Sequence, residues 1–152
     1  RTGLTAGHVM QRNVFVLRPE TQVLDAVREL LQRGFSGAPV VDDGRLLGIF
    51  SERDALTAIA AAHYEDEPPG TVAQHMRRDF CVVGPATDLY EVASCFRDHP
   101  IRRLPVVDCE RRLHGIVSRG DVLKALRQQF TSRQKNAYER LQAHMALRHG
   151  GL

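Results

Sequence analysis

A stretch covering residues 10–59 returns about 66 positions further along, and no other feature restricts the fold as tightly. Met10 aligns with Met76, Pro19-Glu20-Thr21 with Pro85-Ala86-Thr87, and Pro39-Val40-Val41-Asp42 with Pro105-Val106-Val107-Asp108. After a one-residue insertion, the run from Leu46 to Asp54 (LLGIFSERD) aligns with the run from Leu113 to Asp121 (LHGIVSRGD). A unit that preserves turn residues, apolar runs and a Ser-x-x-Asp element in order implies two copies of one supersecondary module sharing a core. Stacked copies leave clefts between them, and clefts are where ligands bind.

Local patterns divide each copy into elements. In the first, Thr5 stands where it would cap a short helical turn ending at Met10. Val14-Phe15-Val16-Leu17 has strand composition and stops at Pro19. Val23, Ala26, Val27, Leu30 and Leu31 follow the spacing of an amphipathic helix, with Thr21 expected to cap it and Gly34 to end it. Ala38–Val41 and Leu46–Phe50 are apolar runs joined by Asp42-Asp43-Gly44-Arg45, a hairpin signal. A second helix starts after Ser51 and runs to about Ala62. Residues 63–70 are acidic and contain Pro68-Pro69-Gly70, so they read as a linker.

The second copy, residues 71–130, repeats the plan. Its strands fall near Cys81–Val83, Leu104–Val107 and Leu113–Val117, and its helices near Leu89–Asp98 and Asp121–Phe130. The expected class is therefore α/β of the α+β kind: two β-α-β-β-α repeats, residues 5–62 and 71–130. Residues 132–149 have no counterpart and read as an additional C-terminal amphipathic helix. Its face of Ala137, Tyr138, Leu141 and Met145 either packs on its own domain or extends a dimer contact.

Composition narrows the classes. At 152 residues, 43% hydrophobic and 26% charged, the chain suits one globular unit that buries roughly 70% of its unfolded surface. No apolar run approaches the ~18 residues a membrane helix needs, and no signal-peptide pattern is present, so membrane insertion is not expected. The sequence opens at Arg1, not Met, which is compatible with an upstream enzyme or transporter segment. Cys81, Cys95 and Cys109 form neither an even disulfide set nor a CxxC pair, and read as reduced thiols of a cytoplasmic protein. The net charge of +3 comes mostly from the end, where Arg133, Lys135, Arg140 and Arg148 face only Glu139. A solvated face or a partner contact accounts for that better than nucleic-acid binding.

Enzyme signatures are missing. The seven histidines make no HExxH or other ligand spacing, and there is no Walker-type loop and no GxSxG elbow. Catalysis and a metal site are not expected. Ser51-Glu52-Arg53-Asp54 and Ser118-Arg119-Gly120-Asp121 carry more information. Each is a helix N-cap on its own terms. Both also follow a Gly-Ile strand at a strand-to-helix junction, where a carboxylate can accept two ribose hydroxyls near a helix N-terminus. Arg102 and Arg103 enter a buried strand, and side-chain alternation is expected to turn them to opposite sides, one of them toward a cleft as a phosphate clamp. Ser36 and Gly37 hold the matching positions, so the two clefts are not equivalent.

The duplicated order of Met, strand, Pro-x-Thr, amphipathic helix, Pro-Val-Val-Asp and Gly-Ile-x-Ser-x-x-Asp resembles a tandem pair of CBS domains, the cystathionine β-synthase-type regulatory (Bateman) module. The resemblance covers about Thr5 to Phe130. It implies two repeats packed with pseudo-two-fold symmetry through their sheets, usually as a homodimer. It further implies a non-catalytic, allosteric energy-sensing role: an adenosine nucleotide (AMP, ADP or ATP) binds between the copies and modulates an associated protein or fused domain. Carried onto this chain, the stronger site would use Ser51 and Asp54 for ribose, Phe80 and Cys81 for the base, and Arg102 and Arg103 for phosphate. The weaker site would use Ser118 and Asp121 with Val14, Phe15, Ser36 and Gly37. Thr21 and Thr87 are left as helix caps. The alternative is a dimerisation or protein-interaction module without a physiological small ligand.

Overall fold

The structure is a computed structural model that describes residues 3–150, with side chains through residue 148. The first copy supplies α1 (Ala6–Val9), α2 (Val23–Arg33), β1 (Gly37–Asp42), β2 (Arg45–Ser51) and α3 (Glu52–Glu65). The second supplies α4 (Val72–His75), α5 (Leu89–Asp98), β3 (Arg103–Val107), β4 (Leu113–Ser118) and α6 (Arg119–Gly150). Each copy is a mixed α/β unit with one two-stranded antiparallel sheet. The register slips at the same place in both, between Val40 and Val41 and between Val106 and Val107.

The local signals act as elementary chemistry predicts. Val23, Ala26 and Leu30 bury the apolar stripe of α2. Gly34 closes that helix at φ 68°, a left-handed conformation glycine adopts without a Cβ penalty. The β1–β2 turn places both Asp43 and Gly44 at positive φ, as the favoured two-residue hairpin turns require. The β3–β4 loop is longer and is organised by Asp108, whose Oδ1 accepts the N–H groups of Glu110 and Arg112 at 2.9 and 3.0 Å.

Four local expectations need correction. Val14–Leu17 and Cys81–Val83 do not form strands. Only Leu17 and Val83 pair, each through one parallel bridge, to Val40 and Val106. Leu17 donates to the Pro39 carbonyl at 2.8 Å and accepts from Val41 at 2.9 Å, and Val83 does the same with Pro105 and Val107. The next parallel bond toward the N-terminus would need an N–H from Pro39 or Pro105, which proline lacks. Thr21 and Thr87 are not caps either. Gln22 and Asp88 hold those positions, Asp88 accepting from Tyr90 N–H, while Thr87 Oγ1 accepts from Gly84 N–H at 2.9 Å.

The remaining two corrections concern helix ends. α3 continues to Glu65, into the expected linker, and stops where Asp66 takes φ 54° ahead of Pro68. α6 does not break near residue 131. It runs as a single helix of about 48 Å because no Gly or Pro interrupts it between Gly120 and Gly150. Every described side chain from Phe130 to Arg148 is exposed, so the face of Ala137, Tyr138, Leu141 and Met145 does not pack on its own domain.

What joins the copies is an exchange of their opening turns. α1 lies on the second copy: Ala6 N–H donates to Thr87 O and Gly7 N–H to Pro85 O, both at 2.9 Å. α4 repeats this on the first copy: Val72 N–H donates to Thr21 O at 2.8 Å and Ala73 N–H to Pro19 O at 3.0 Å. Two cores result. One gathers Leu30, Val40 and Phe50 around the borrowed Val72 and Met76. The other gathers Leu89, Leu104 and Val117 around the borrowed Ala6, with Met10 against it. Fully burying each large side chain stabilises the fold by roughly 1.5–3 kcal/mol.

The exchange explains the duplicated Gly-Ile pair. A Cβ on Gly48 would lie 2.7 Å from Met76 Sδ and 2.8 Å from Arg77 O. A Cβ on Gly115 would lie 2.8 Å from Met10 Sδ and 2.6 Å from Gln11 O. Only glycine leaves room for the other copy's methionine. The hairpin tips also meet, with Leu46 N–H donating to Arg111 O at 2.9 Å and Leu113 N–H to Gly44 O at 3.0 Å.

Candidate functional site

Between the copies lies a groove of about 820 Å³, within the range of ordinary ligand sites. Its walls are equivalent ends of the two hairpins. Gly37 is paired with Ser51 on the first copy, and Arg103 with Ser118 on the second. Ser51, Phe80, Cys81, Arg102 and Arg103 all line this groove, and so do Ser36, Gly37 and Ser118 from the second residue set. Residues expected for two separate sites therefore open onto one continuous space.

Both Ser-x-x-Asp elements are caps. Asp54 Oδ2 accepts from the Ser51 N–H and the Ser51 hydroxyl at 2.9 Å, and Asp54 N–H donates to Ser51 Oγ at 3.2 Å. In the second copy, Ser118 N–H donates to Asp121 Oδ2 and Asp121 N–H to Ser118 Oγ, both at 3.0 Å. Each serine stands on the groove wall and each aspartate, half-buried, is tied to it without lining the groove itself. Asp54 Oδ1 accepts no hydrogen bond among the described residues and is left for a further donor.

The two arginines do not obey strand alternation. Arg102 precedes β3, which begins at Arg103, so no pleat separates them. Both are exposed on the groove wall. The Arg103 guanidinium lies 5.8 Å from the Phe35 ring centroid, within cation–π range. Phe80 stands at the same distance from Arg111. Val14 and Phe15 are not brought to the groove. Phe15 is held instead against Phe35, with ring centroids 6.0 Å apart, and beneath the Arg33 guanidinium at 4.2 Å.

Two lining residues were missed in the sequence, Arg77 and Arg119. Arg77 exchanges backbone hydrogen bonds with Ile49 at 2.8 and 2.9 Å, which fixes it on the first copy's β2. The signal was its place directly after the repeated Met76, where the first copy has Gln11. Arg119 occupies a variable position inside the second Ser-x-x-Asp element, and its N–H donates to Arg102 O at 3.1 Å. Among the described residues, none of these four arginines is ion-paired with a carboxylate, and no Asp or Glu lines the groove.

Burial, and secondarily the neighbouring Cys81, push the Cys95 thiol up, opposite to what a nucleophilic cysteine needs. Among the described residues no three His, Cys, Asp or Glu side chains gather as a metal ion would require. No described helix is long and apolar enough to cross a membrane.

The fold is thus a pair of α/β modules that exchange their opening turns around a shared groove. A family model described as CBS domain matches residues 6–61 and again residues 72–128. The chain belongs to the CBS domain family and carries two such domains in tandem. The CBS domain-containing protein CBSX2, chloroplastic, of Arabidopsis thaliana is 31% identical over 151 residues, covering 81% of this chain and 63% of that protein. The crystal structure of CBSX2 in complex with AMP matches with a TM-score of 0.73 at 33% identity, covering 83% of this chain and 98% of that one. Inosine-5'-monophosphate dehydrogenase of Aquifex aeolicus is 30% identical over 137 residues, which cover 89% of this chain and 26% of the enzyme. The chain thus spans less than two thirds of the length of either curated relative. The family match stops at residue 128, whereas α6 continues to Gly150.

Proposed function

We propose that the groove binds an adenosine nucleotide (AMP, ADP or ATP) and that its occupancy regulates a protein associated with or fused to this module. The observation that carries this reading is the convergence of Ser51, Phe80, Cys81, Arg102 and Arg103 on one cavity between the copies. A cap serine with a carboxylate behind it suits ribose hydroxyls, an aromatic and a thiol suit a base, and guanidinium groups suit phosphate. The AMP complex of CBSX2 supports the same ligand class. Ser118 and Asp121, with Ser36 and Gly37, form the weaker half. A ligand touching both copies would change their relative tilt, which is how a small molecule shifts a two-state module. Nothing in this role asks for catalysis by the chain itself.

A thermal melt with AMP or ATP tests the reading. At 100 times its dissociation constant, a ligand stabilises by about 2.7 kcal/mol, roughly 5–10 °C at this size. An unchanged melting temperature with every adenine nucleotide overturns it and favours the second reading, a self-association module. That reading has its own observation. Leu56, Tyr64, Tyr138, Leu141 and Met145 are all at least half exposed on helix surfaces, as a homodimer contact would require. Sedimentation measures it directly, and a strict monomer at high concentration removes it.

A further inference from the structure

We infer that the groove selects ligands bearing two or more phosphates over a monophosphate, with Arg77 and Arg119 as the residues that set this preference. The inference rests on the nucleotide reading above and deepens it. Four arginines (Arg77, Arg102, Arg103 and Arg119) line one cavity that, among the described residues, no Asp or Glu lines. A monophosphate carries about two negative charges at neutral pH, enough for only half of them. Unbalanced like charges in one cavity repel each other and raise the affinity for a longer anion.

The origin of the four is as informative as their number. Arg77, Arg102, Arg103 and Arg119 all belong to the second copy, and their aligned first-copy counterparts are Gln11, Ser36, Gly37 and Glu52. Two symmetric monophosphate sites would place basic residues in both copies. Here, among the described residues, every groove arginine belongs to one copy, which favours one extended anion over two equivalent monophosphates. The placement is also graded. Arg103 pairs across the sheet with Ser118, Arg119 follows Ser118, and the Arg119 N–H is bonded to Arg102 O, so these three form one cluster. Arg77 is anchored apart from them, on the first copy's β2 two residues before Ser51. The pair Arg102 and Arg103 suits the first phosphate, and Arg119 and Arg77 extend the basic surface beyond it. Guanidinium forks bind phosphate oxygens in pairs, so each added phosphate finds a matching donor set.

Titration calorimetry at constant ionic strength tests this with AMP, ATP and inorganic triphosphate on the parent protein and on R77Q, R119Q and the double variant. ATP is expected to bind the parent tenfold or more tightly than AMP, on the order of one charge-assisted contact. The double variant should lose roughly tenfold or more for ATP and less than about threefold for AMP. All four arginines are exposed, so the variants should melt with the parent. Should one melt early, R77K and R119K restore charge without the planar fork and must recover part of the ATP preference. Equal binding of AMP and ATP by the parent, or equal losses for both in the double variant, overturns the inference and leaves the nucleotide reading standing. Triphosphate binding as tightly as ATP while AMP does not bind supports the polyphosphate preference and overturns the adenosine assignment. No binding by any of the three overturns both.

Discussion

The two copies are nearly identical in how they are bonded and opposite in how they are charged. Each lends its opening turn to the other through the same backbone hydrogen bonds, each packs a methionine on the other's glycine, and each caps a helix with Ser-x-x-Asp. Yet, among the described residues, the groove's arginines come only from the second copy. Duplication preserved what holds the pair together, because backbone bonds and close packing tolerate little change. The positions that differ are exposed in the second copy, where all four are arginines, whereas the first copy has Gln11, Ser36, Gly37 and Glu52 there.

The largest effect that tests this comparison lies in the cores. Phe50 and its counterpart Val117 are both fully buried. Phe50→Ala should cost about 3–5 kcal/mol, whereas Val117→Ala removes two carbons and should cost nearer ~1.6 kcal/mol from transfer alone. Urea unfolding measures both, and equal losses would mean that the two cores do not differ in the way their sequences say. Next are the shared glycines. Gly48→Ala and Gly115→Ala should each destabilise by about 1–3 kcal/mol, because methionine and backbone atoms occupy the space a methyl group needs. A large loss at one and none at the other would break the equivalence of the exchanged turns.

A smaller effect separates the two ribose elements. Asp54→Ala should weaken nucleotide binding by about 1–3 kcal/mol, and Asp121→Ala by less, since the assigned sugar contact belongs to the first copy. Each variant also loses a cap interaction worth about 1 kcal/mol of stability. Calorimetry that returns parental affinity for Asp54→Ala removes the site assignment.

The smallest effect concerns the hairpin loops. Asp42 is bonded to Arg18 at 3.1 Å, while its counterpart Asp108 is bonded to His114 Nε2 at 2.8 Å. The His114 hydrogen bond, followed by the Arg112 backbone N–H, holds the Asp108 carboxyl below its ordinary range. A carboxylate depressed in the folded state stabilises above its unfolded value of about 3.9, and that contribution is lost as pH falls through the folded value. Carboxyl NMR titration of His114→Ala should show Asp108 titrating at higher pH than in the parent. An unmoved titration would assign the depression to the loop's backbone donors instead.

Legibility followed interaction range. α2 was readable because Val23, Ala26 and Leu30 repeat at helical spacing and Gly34 supplies the left-handed stop. The β1–β2 hairpin was readable because Asp43-Gly44 is suited to positive φ. Ser51, Arg102 and Arg103 stood out because the copies could be compared position by position. Phe15 misled because its strand composition hides a packing role against Phe35 and Arg33. Arg77 went unnoticed because nothing adjacent to it in the chain says that it docks beside Ile49.

From its order of residues alone the chain determined a duplicated α/β plan, the main helices and hairpins, and the unequal distribution of charge between the copies. Those properties depend on residues within a few positions of one another, or on comparing one copy with the next. Only the tertiary structure decided that the opening turns trade places, that the first strands shrink to single bridges, and that four distant arginines share one cavity. Such outcomes depend on which separate backbone segments meet, on a missing proline N–H and on the room left by a glycine, and local periodicity encodes none of these.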